Sequence, residues 1–281
     1  MAAGAAVRSP PGRTESPRDL PVTPTRLIHL RGKPVAGGKL PLICTPLVGR
    51  TREEILAELA AVLPKAPDLL EWRVDFFTGL GDAQVVIDTA RAIRAAAGQT
   101  PVLFTRRSTR EGGQPITVAE ADVVRVHEAV CDARCIDMVD WEMSSDAADF
   151  ARIRSATRAH ELPLVASYHN FQATPDVAWL TAKFAEAERL GADVAKVAVM
   201  PQGPQDVLTL LADTHAASQT VALPLISMSM GAYGSLSRMV GWAFGSTVTF
   251  AVGKGSSAPG QVPIEDLRAV LQATRKAVLG G

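Results

Sequence analysis

Short apolar runs of strand length recur along the chain at 40–48, 69–77, 101–107, 135–143, 162–170, 194–200, 223–230 and 247–253. Each is followed by a stretch in which apolar residues return at helical spacing. In the first, Ile55, Leu56, Leu59, Val62 and Leu63 share one face, and Thr51 with Glu54 has the spacing of a capping box. Further helices are predicted over 82–97, 117–132, 144–160, 175–190, 204–218, 234–244 and 263–278. Pro175, Pro204 and Pro263 sit where a first helical turn tolerates a missing N–H. Eight strand–helix units in about 240 residues fit an α/β protein of the (β/α)8 TIM-barrel class. The rival, an open doubly wound sheet, lacks a glycine-rich phosphate loop after its first strand.

Ahead of this repeat, residues 1–24 hold Pro10, Pro11, Pro17, Pro21 and Pro24 and little that packs, which reads as a disordered tail. Residues 25–281 then form one domain. Leu27–Leu30 and the turn-rich 31–39, with Gly37-Gly38, read as a β-hairpin that closes the bottom of the barrel.

Composition narrows the function classes. Of 281 residues 47% are hydrophobic and 21% charged, enough apolar material for a large core. A net charge of zero gives no counterion-release drive toward nucleic acid. No apolar run approaches the roughly 18 residues that span a bilayer. Cys44, Cys131 and Cys135 form no CxxC pair and read as reduced thiols of a cytoplasmic protein.

The chemistry sits where a barrel strand interrupts its apolar pattern. Strand 2 alternates Glu71, Arg73 and Asp75 with Trp72, Val74 and Phe76, which turns three charges into the barrel. They read either as a self-satisfied ion-pair ladder or as a polar active-site floor. Lys196 stands among Val194, Ala195, Val197, Ala198 and Val199. An apolar setting strips an ammonium of hydration and favours a free amine able to attack a ketone. The other reading, a lysine paired with a core carboxylate such as Glu71 or Asp140, stands beside it. His169 ends the neighbouring strand, suited to general acid–base work; His29, His127, His160 and His215 read as surface residues. No two histidines on one element have metal-ligand spacing, so no metal is expected. The loop Arg106–Gln114, with Gly112-Gly113, reads as basic and mobile, and the small polar 254–261 as a lid or an ordinary surface loop. Met228 and Met230 read as core filler, and Arg238 as an anion binder or a helix-surface cation.

Taken in order, PLVGRT at 46–51, EWRVDFF at 71–77, LFTRRSTREGGQ at 103–114, SYHNF at 167–171, KVAVMP at 196–201, the run 227–251 and SAPGQ at 257–261 resemble the type I 3-dehydroquinate dehydratase family. The resemblance implies a monofunctional, cofactor-free hydro-lyase of the shikimate pathway, acting on the small molecule 3-dehydroquinate, homodimeric and cytoplasmic. It implies Lys196 as the Schiff-base lysine, His169 as general acid–base, and Glu71 as the carboxylate that orients the histidine and contacts substrate. Arg73, Arg107, Glu111, Met228, Met230, Arg238, Ser257 and Gln261 match substrate-site positions. Some relatives carry serine where Pro46 stands, so no role passes to that residue. The alternatives are another imine-forming barrel enzyme, such as a class I aldolase with a phosphate cup, and a barrel kept only for binding.

Overall fold

The computed structural model describes residues 27–35 and 40–280. The tail over 1–24 and the Gly37-Gly38 pair lie outside the described residues. A two-stranded hairpin, β1 (His29–Leu30) and β2 (Lys33–Pro34), precedes the repeat. The repeat runs β3 (Leu42–Leu47), α1 (Arg52–Val62), β4 (Leu69–Arg73), α2 (Ala83–Ala97), β5 (Val102–Thr105), α3 (Glu120–Asp132), β6 (Met138–Glu142) and α4 (Ala147–Ala159). It continues with β7 (Leu164–Asn170), α5 (Val177–Arg189), β8 (Val194–Val199), α6 (Pro204–Thr220), β9 (Leu225–Ser229), α7 (Gly231–Val240), β10 (Val248–Phe250) and α8 (Ile264–Leu279). The eight-stranded sheet is parallel in the order β10-β3-β4-β5-β6-β7-β8-β9. A parallel bridge between Leu225 and Ser246, with Thr247 N–H donating to Leu225 O at 2.7 Å, draws β9 toward β10 and nearly closes the barrel.

Local chemistry explains the element ends. Thr51 caps α1 by accepting from Glu54 N–H, while Glu54 reaches back to Arg50 N–H at 2.7 Å, one residue beyond the capping-box partner. Asp82, Asp146 and Asp176 cap α2, α4 and α5 through their side chains. Only Pro204 falls inside a first turn. Pro263 is the cap of α8, and Pro175 precedes the cap of α5. The seventh helix starts at Gly231 rather than 234, and its far end tightens into a 3-10 turn over Gly241–Phe244.

Two apolar layers follow from strand alternation. Outward residues such as Leu70, Trp72, Phe104, Trp141 and Val197 pack under the helices. Inward residues at the amino ends of the strands, including Leu69, Leu103, Met138, Val165, Val194 and Val248, form a second cluster with Ile28, Leu30 and Val35 of the hairpin segment. The hairpin therefore plugs the amino end. Its turn is tighter than the sequence reading had it: Arg31 and Gly32 have φ of 49° and 80°, and Val35 N–H already returns to Ile28 O at 2.7 Å.

Candidate active site

One register step above the apolar plug, the inward positions turn polar. Glu71 on β4, Thr105 on β5, Asp140 on β6, Ser167 on β7 and Lys196 on β8 are all buried. Register pairs Ser167 with Lys196 and His169 with Ala198, so the lysine and the histidine stand one layer apart on adjacent strands. Both line a cavity at the carboxyl ends of the strands, with Glu71, Arg73, Arg107 and Glu111. Lys196 Nζ lies 3.1 Å from Asp140 Oδ2 and 3.5 Å from Glu71 Oε1, and 4.6 Å from the centre of the Phe250 ring. The amine thus has the carboxylate partners of one sequence reading and the cavity position of the other.

Arg107 organises the floor. Its guanidinium donates to Asp140 Oδ1 at 2.7 Å, Ser167 Oγ at 2.8 Å and Glu142 Oε1 at 3.3 Å. Burial works against this charge, but Asp140, Glu142 and Glu111 outweigh it and hold the group above its ordinary pKa. Burial likewise favours neutral Asp140, yet Arg107 and Lys196 hold it down at about 2, so it stays an anion. Arg73 forks onto Asp75 at 2.8 and 2.7 Å. Asp75 also accepts from Arg107 N–H and Gln114 N–H, which ties the β5 loop to the β4 end. The strand itself stops at Arg73, and a 3-10 turn over Val74–Phe76 replaces the predicted extension to 77. Phe76 therefore leaves the outer core and lies 5.2 Å from the Arg73 guanidinium.

The histidine's partner differs from the expectation. Glu111 Oε2 accepts from both His169 N–H and the ring Nδ1 at 2.9 Å, whereas Glu71 contacts Lys196 and accepts from Thr105 Oγ1 at 3.2 Å. Glu111 is brought there by a 3-10 turn, Thr109–Glu111, whose tightness needs glycine. A Cβ on Gly112 would lie 2.3 Å from the Phe171 ring, and one on Gly113 1.9 Å from Arg107 O. The glycine pair packs this loop down rather than loosening it. Burial pushes Glu111 up to about 7 against the pull of Arg107. Burial, then the Arg107 and Lys196 charges, hold His169 well below its ordinary value, hence neutral. With Nδ1–H fixed on a carboxylate, Nε2 is the basic nitrogen; among the described residues it has no hydrogen-bond partner.

Met228, Met230, Phe250, Ser257 and Gln261 complete the wall. Gln261 Oε1 accepts from Ser257 N–H at 3.2 Å, and Arg73 Nη1 donates to Ser257 O at 3.3 Å. Arg238 is 2% exposed, not a surface cation, and is off the cavity wall. It contacts Met228 Sδ at 3.3 Å and Pro259 O at 3.2 Å, its Nε is unpartnered, and it has no ion-pair partner among the described residues. Burial draws its pKa down to about 10.

The sequence model described as Type I 3-dehydroquinase matches residues 43–277. The chain belongs to this family. A 3-dehydroquinate dehydratase of Albidiferax ferrireducens is 58% identical over 254 residues, 90% of this chain and 96% of that protein. The crystal structure of the 3-dehydroquinate dehydratase of Geobacillus kaustophilus superposes with TM-score 0.88 at 48% identity, covering 90% of this chain and 98% of that one. That of the type I enzyme of Clostridium difficile, with covalent modified comenic acid, does so at TM-score 0.85 and 30% identity, covering 90% and 98%.

In this type I 3-dehydroquinase chain, sequence reading left several cavity-floor groups without a role: Asp75 as the fork for Arg73, Ser144 as a donor to Glu111 Oε1, and Ser167 and Glu142 around Arg107. A signal existed for Glu142, because Met138, Asp140 and Glu142 repeat the period-2 pattern of Leu69, Glu71 and Arg73. His127 was also misread as a surface residue. It is fully buried between the Phe104 and Trp141 rings, each 4.8 Å away centre to centre. Its place four residues after Val123 and three before Val130, both buried, carried that information.

Proposed function

We propose that the chain is a hydro-lyase of the shikimate pathway, a 3-dehydroquinate dehydratase that converts 3-dehydroquinate to 3-dehydroshikimate and water. The activity rests on family membership and on the identity with curated dehydratases. The route we propose is an imine on Lys196 with His169 as general acid and base. The observation that carries it is one cavity holding a buried primary amine and a neutral imidazole on adjacent strands.

The Lys196 amine attacks the C3 carbonyl, and the carbinolamine loses water to leave an iminium. This cation draws electrons from the neighbouring carbon, so His169 Nε2 removes the C2 proton and an enamine forms. The enamine expels the C1 hydroxyl, which leaves as water with the proton His169 had taken. Water then hydrolyses the conjugated iminium, frees 3-dehydroshikimate and restores the amine. The iminium is the electron sink, so the route needs no metal or organic cofactor. A positioned acid–base of this type contributes about 10²–10⁴-fold. Asp140, an anion held by Arg107, acts as a fixed counter-charge. Glu71, which lines the cavity beside the amine, relays protons to and from the carbinolamine. Glu111 fixes the histidine tautomer and stabilises the imidazolium formed in the third step.

The substrate carboxylate is assigned to Arg238, because a buried guanidinium without a carboxylate partner is costly until an anion arrives. Met228, which lines the cavity and contacts the guanidinium at 3.3 Å, has to move aside for the carboxylate to reach it. An aldolase reading needs a phosphate against the first turn of α7. That space is taken: Gly231 N–H donates to Pro259 O, and Gly260 packs onto Gly231. A cytoplasmic homodimer is proposed on the family resemblance alone. Among the described residues no helix is long and apolar enough to cross a membrane. Incubation with 3-dehydroquinate should produce the absorbance of a conjugated enone, while sugar phosphates stay unchanged. Absence of the enone overturns the assignment.

A further inference from the structure

A carboxylate outside the cavity is hydrogen-bonded to the segment that leads into one of its walls. Glu58 lies on the apolar face of α1, three residues after Ile55, and is 5% exposed. A buried carboxylate is costly unless its oxygens are satisfied. Here three backbone N–H groups satisfy it, with no ion-pair partner among the described residues. Oε2 accepts from Val48 at 2.7 Å and Gly49 at 3.0 Å, just past β3, and Oε1 accepts from Gly255 at 3.3 Å, past β10. One side chain thus joins the carboxyl ends of two neighbouring strands.

The Gly255 end matters for the site. The chain is pressed against α1 there: a Cβ on Gly255 would lie 2.5 Å from Val48 Cγ2 and 3.0 Å from Glu58 Oε1, and one on Gly253 2.6 Å from Val62 Cγ2. Two residues on, Ser257 lines the cavity, and Gln261 is hydrogen-bonded to it. Beyond Ser257 the loop is held by Gly260 against Gly231. The residues between are half-buried or exposed; Glu58 fixes the entry of this segment at Gly255, and Arg73 holds it further along at Ser257 O.

We infer that Glu58 is a positioning residue, acting through Gly255 to place Ser257 and Gln261 for substrate binding. The inference rests on the dehydratase reading for its effect on KM, and on the hydrogen bonds alone for its effect on the loop. In Glu58→Gln only one amide oxygen accepts, so the Val48–Gly49 end and the Gly255 end cannot both be kept. KM for 3-dehydroquinate should rise about fivefold or more, with kcat within twofold. Amide exchange at Gly255–Gln261 should quicken about tenfold, while exchange in β6–β8 stays unchanged. Gly255→Ala, which crowds the same contact from the other side, should reproduce the split, and Glu58→Asp should restore it in part. A folded Glu58→Gln protein with wild-type KM and wild-type loop exchange overturns the inference, as does a loss of kcat and thermal stability with KM unmoved. If the wild type does not turn over 3-dehydroquinate, the dehydratase reading has failed, and the exchange data alone decide whether Glu58 holds the loop.

Discussion

The two ends of the barrel interior are built from the same strands, displaced by two residues, and obey opposite rules. At the amino end Leu69, Leu103, Val165 and Val194 pack with Ile28, Leu30 and Val35 of the hairpin segment in one apolar cluster. Two residues further on, the corresponding positions hold Glu71, Thr105, Ser167 and Lys196, and each polar group finds a partner. Burial stabilises the first layer by removing apolar surface from water. In the second it raises the cost of every charge, and pairing with Arg107, Asp140 and Glu111 offsets that cost. Apolar burial is concentrated below and buried charge above, which matches the usual division of this fold between a stabilising amino end and a site-bearing carboxyl end.

Substitutions at the two ends should separate these roles. The largest effect is expected at the upper layer: Lys196→Met should lower turnover by several orders of magnitude, since among the described residues no other lysine lines the cavity, while circular dichroism stays native. Residual turnover near wild type would break the contrast. His169→Ala should lower kcat by about 10²–10⁴-fold with the fold intact. In the lower layer the effect should reverse. Leu69→Ala should cost about 2–5 kcal/mol in denaturant unfolding and leave kcat of the folded protein within about threefold. A large kcat loss there would show that the plug also shapes the site.

The smallest effect tests the outer layer, where His127 is buried without chemistry. Burial, ahead of the nearby Arg106 charge, brings its pKa to about 4, below the ordinary 6.5. The folded value is depressed, so the neutral ring's contribution to stability is complete above about pH 6.5. It is lost as pH falls through about 4, and amounts to about 3 kcal/mol at most. His127→Phe should flatten the decline in unfolding free energy across that window. An unchanged pH slope would show that other groups set acid stability.

Much of this was legible in the residues, because strand alternation is local. The period-2 break at Glu71, the lone lysine in β8 and the histidine ending β7 mark the upper layer without coordinates. Family resemblance then gave Lys196 and His169 their expected roles. Partnerships were not legible, because they depend on how loops return. Glu111 reaches His169 only through a 3-10 turn that two glycines allow, and the orienting role that the resemblance implied for Glu71 is held by Glu111 instead. Arg238 was ambiguous for the same reason: its helix begins three residues early, and the loop after β10 covers it. The burial of His127 was legible, because it shares a helical face with Val123 and Val130.

The central claim is a covalent bond between the nitrogen at 196 and the substrate ketone carbon. Sodium borohydride added during turnover of 3-dehydroquinate reduces an imine to a stable secondary amine, and peptide mass spectrometry locates it. The imine route predicts substrate-dependent inactivation and one adduct on the peptide holding Lys196. Full activity with that peptide unmodified, or an adduct at Lys183 or Lys254 instead, would contradict it.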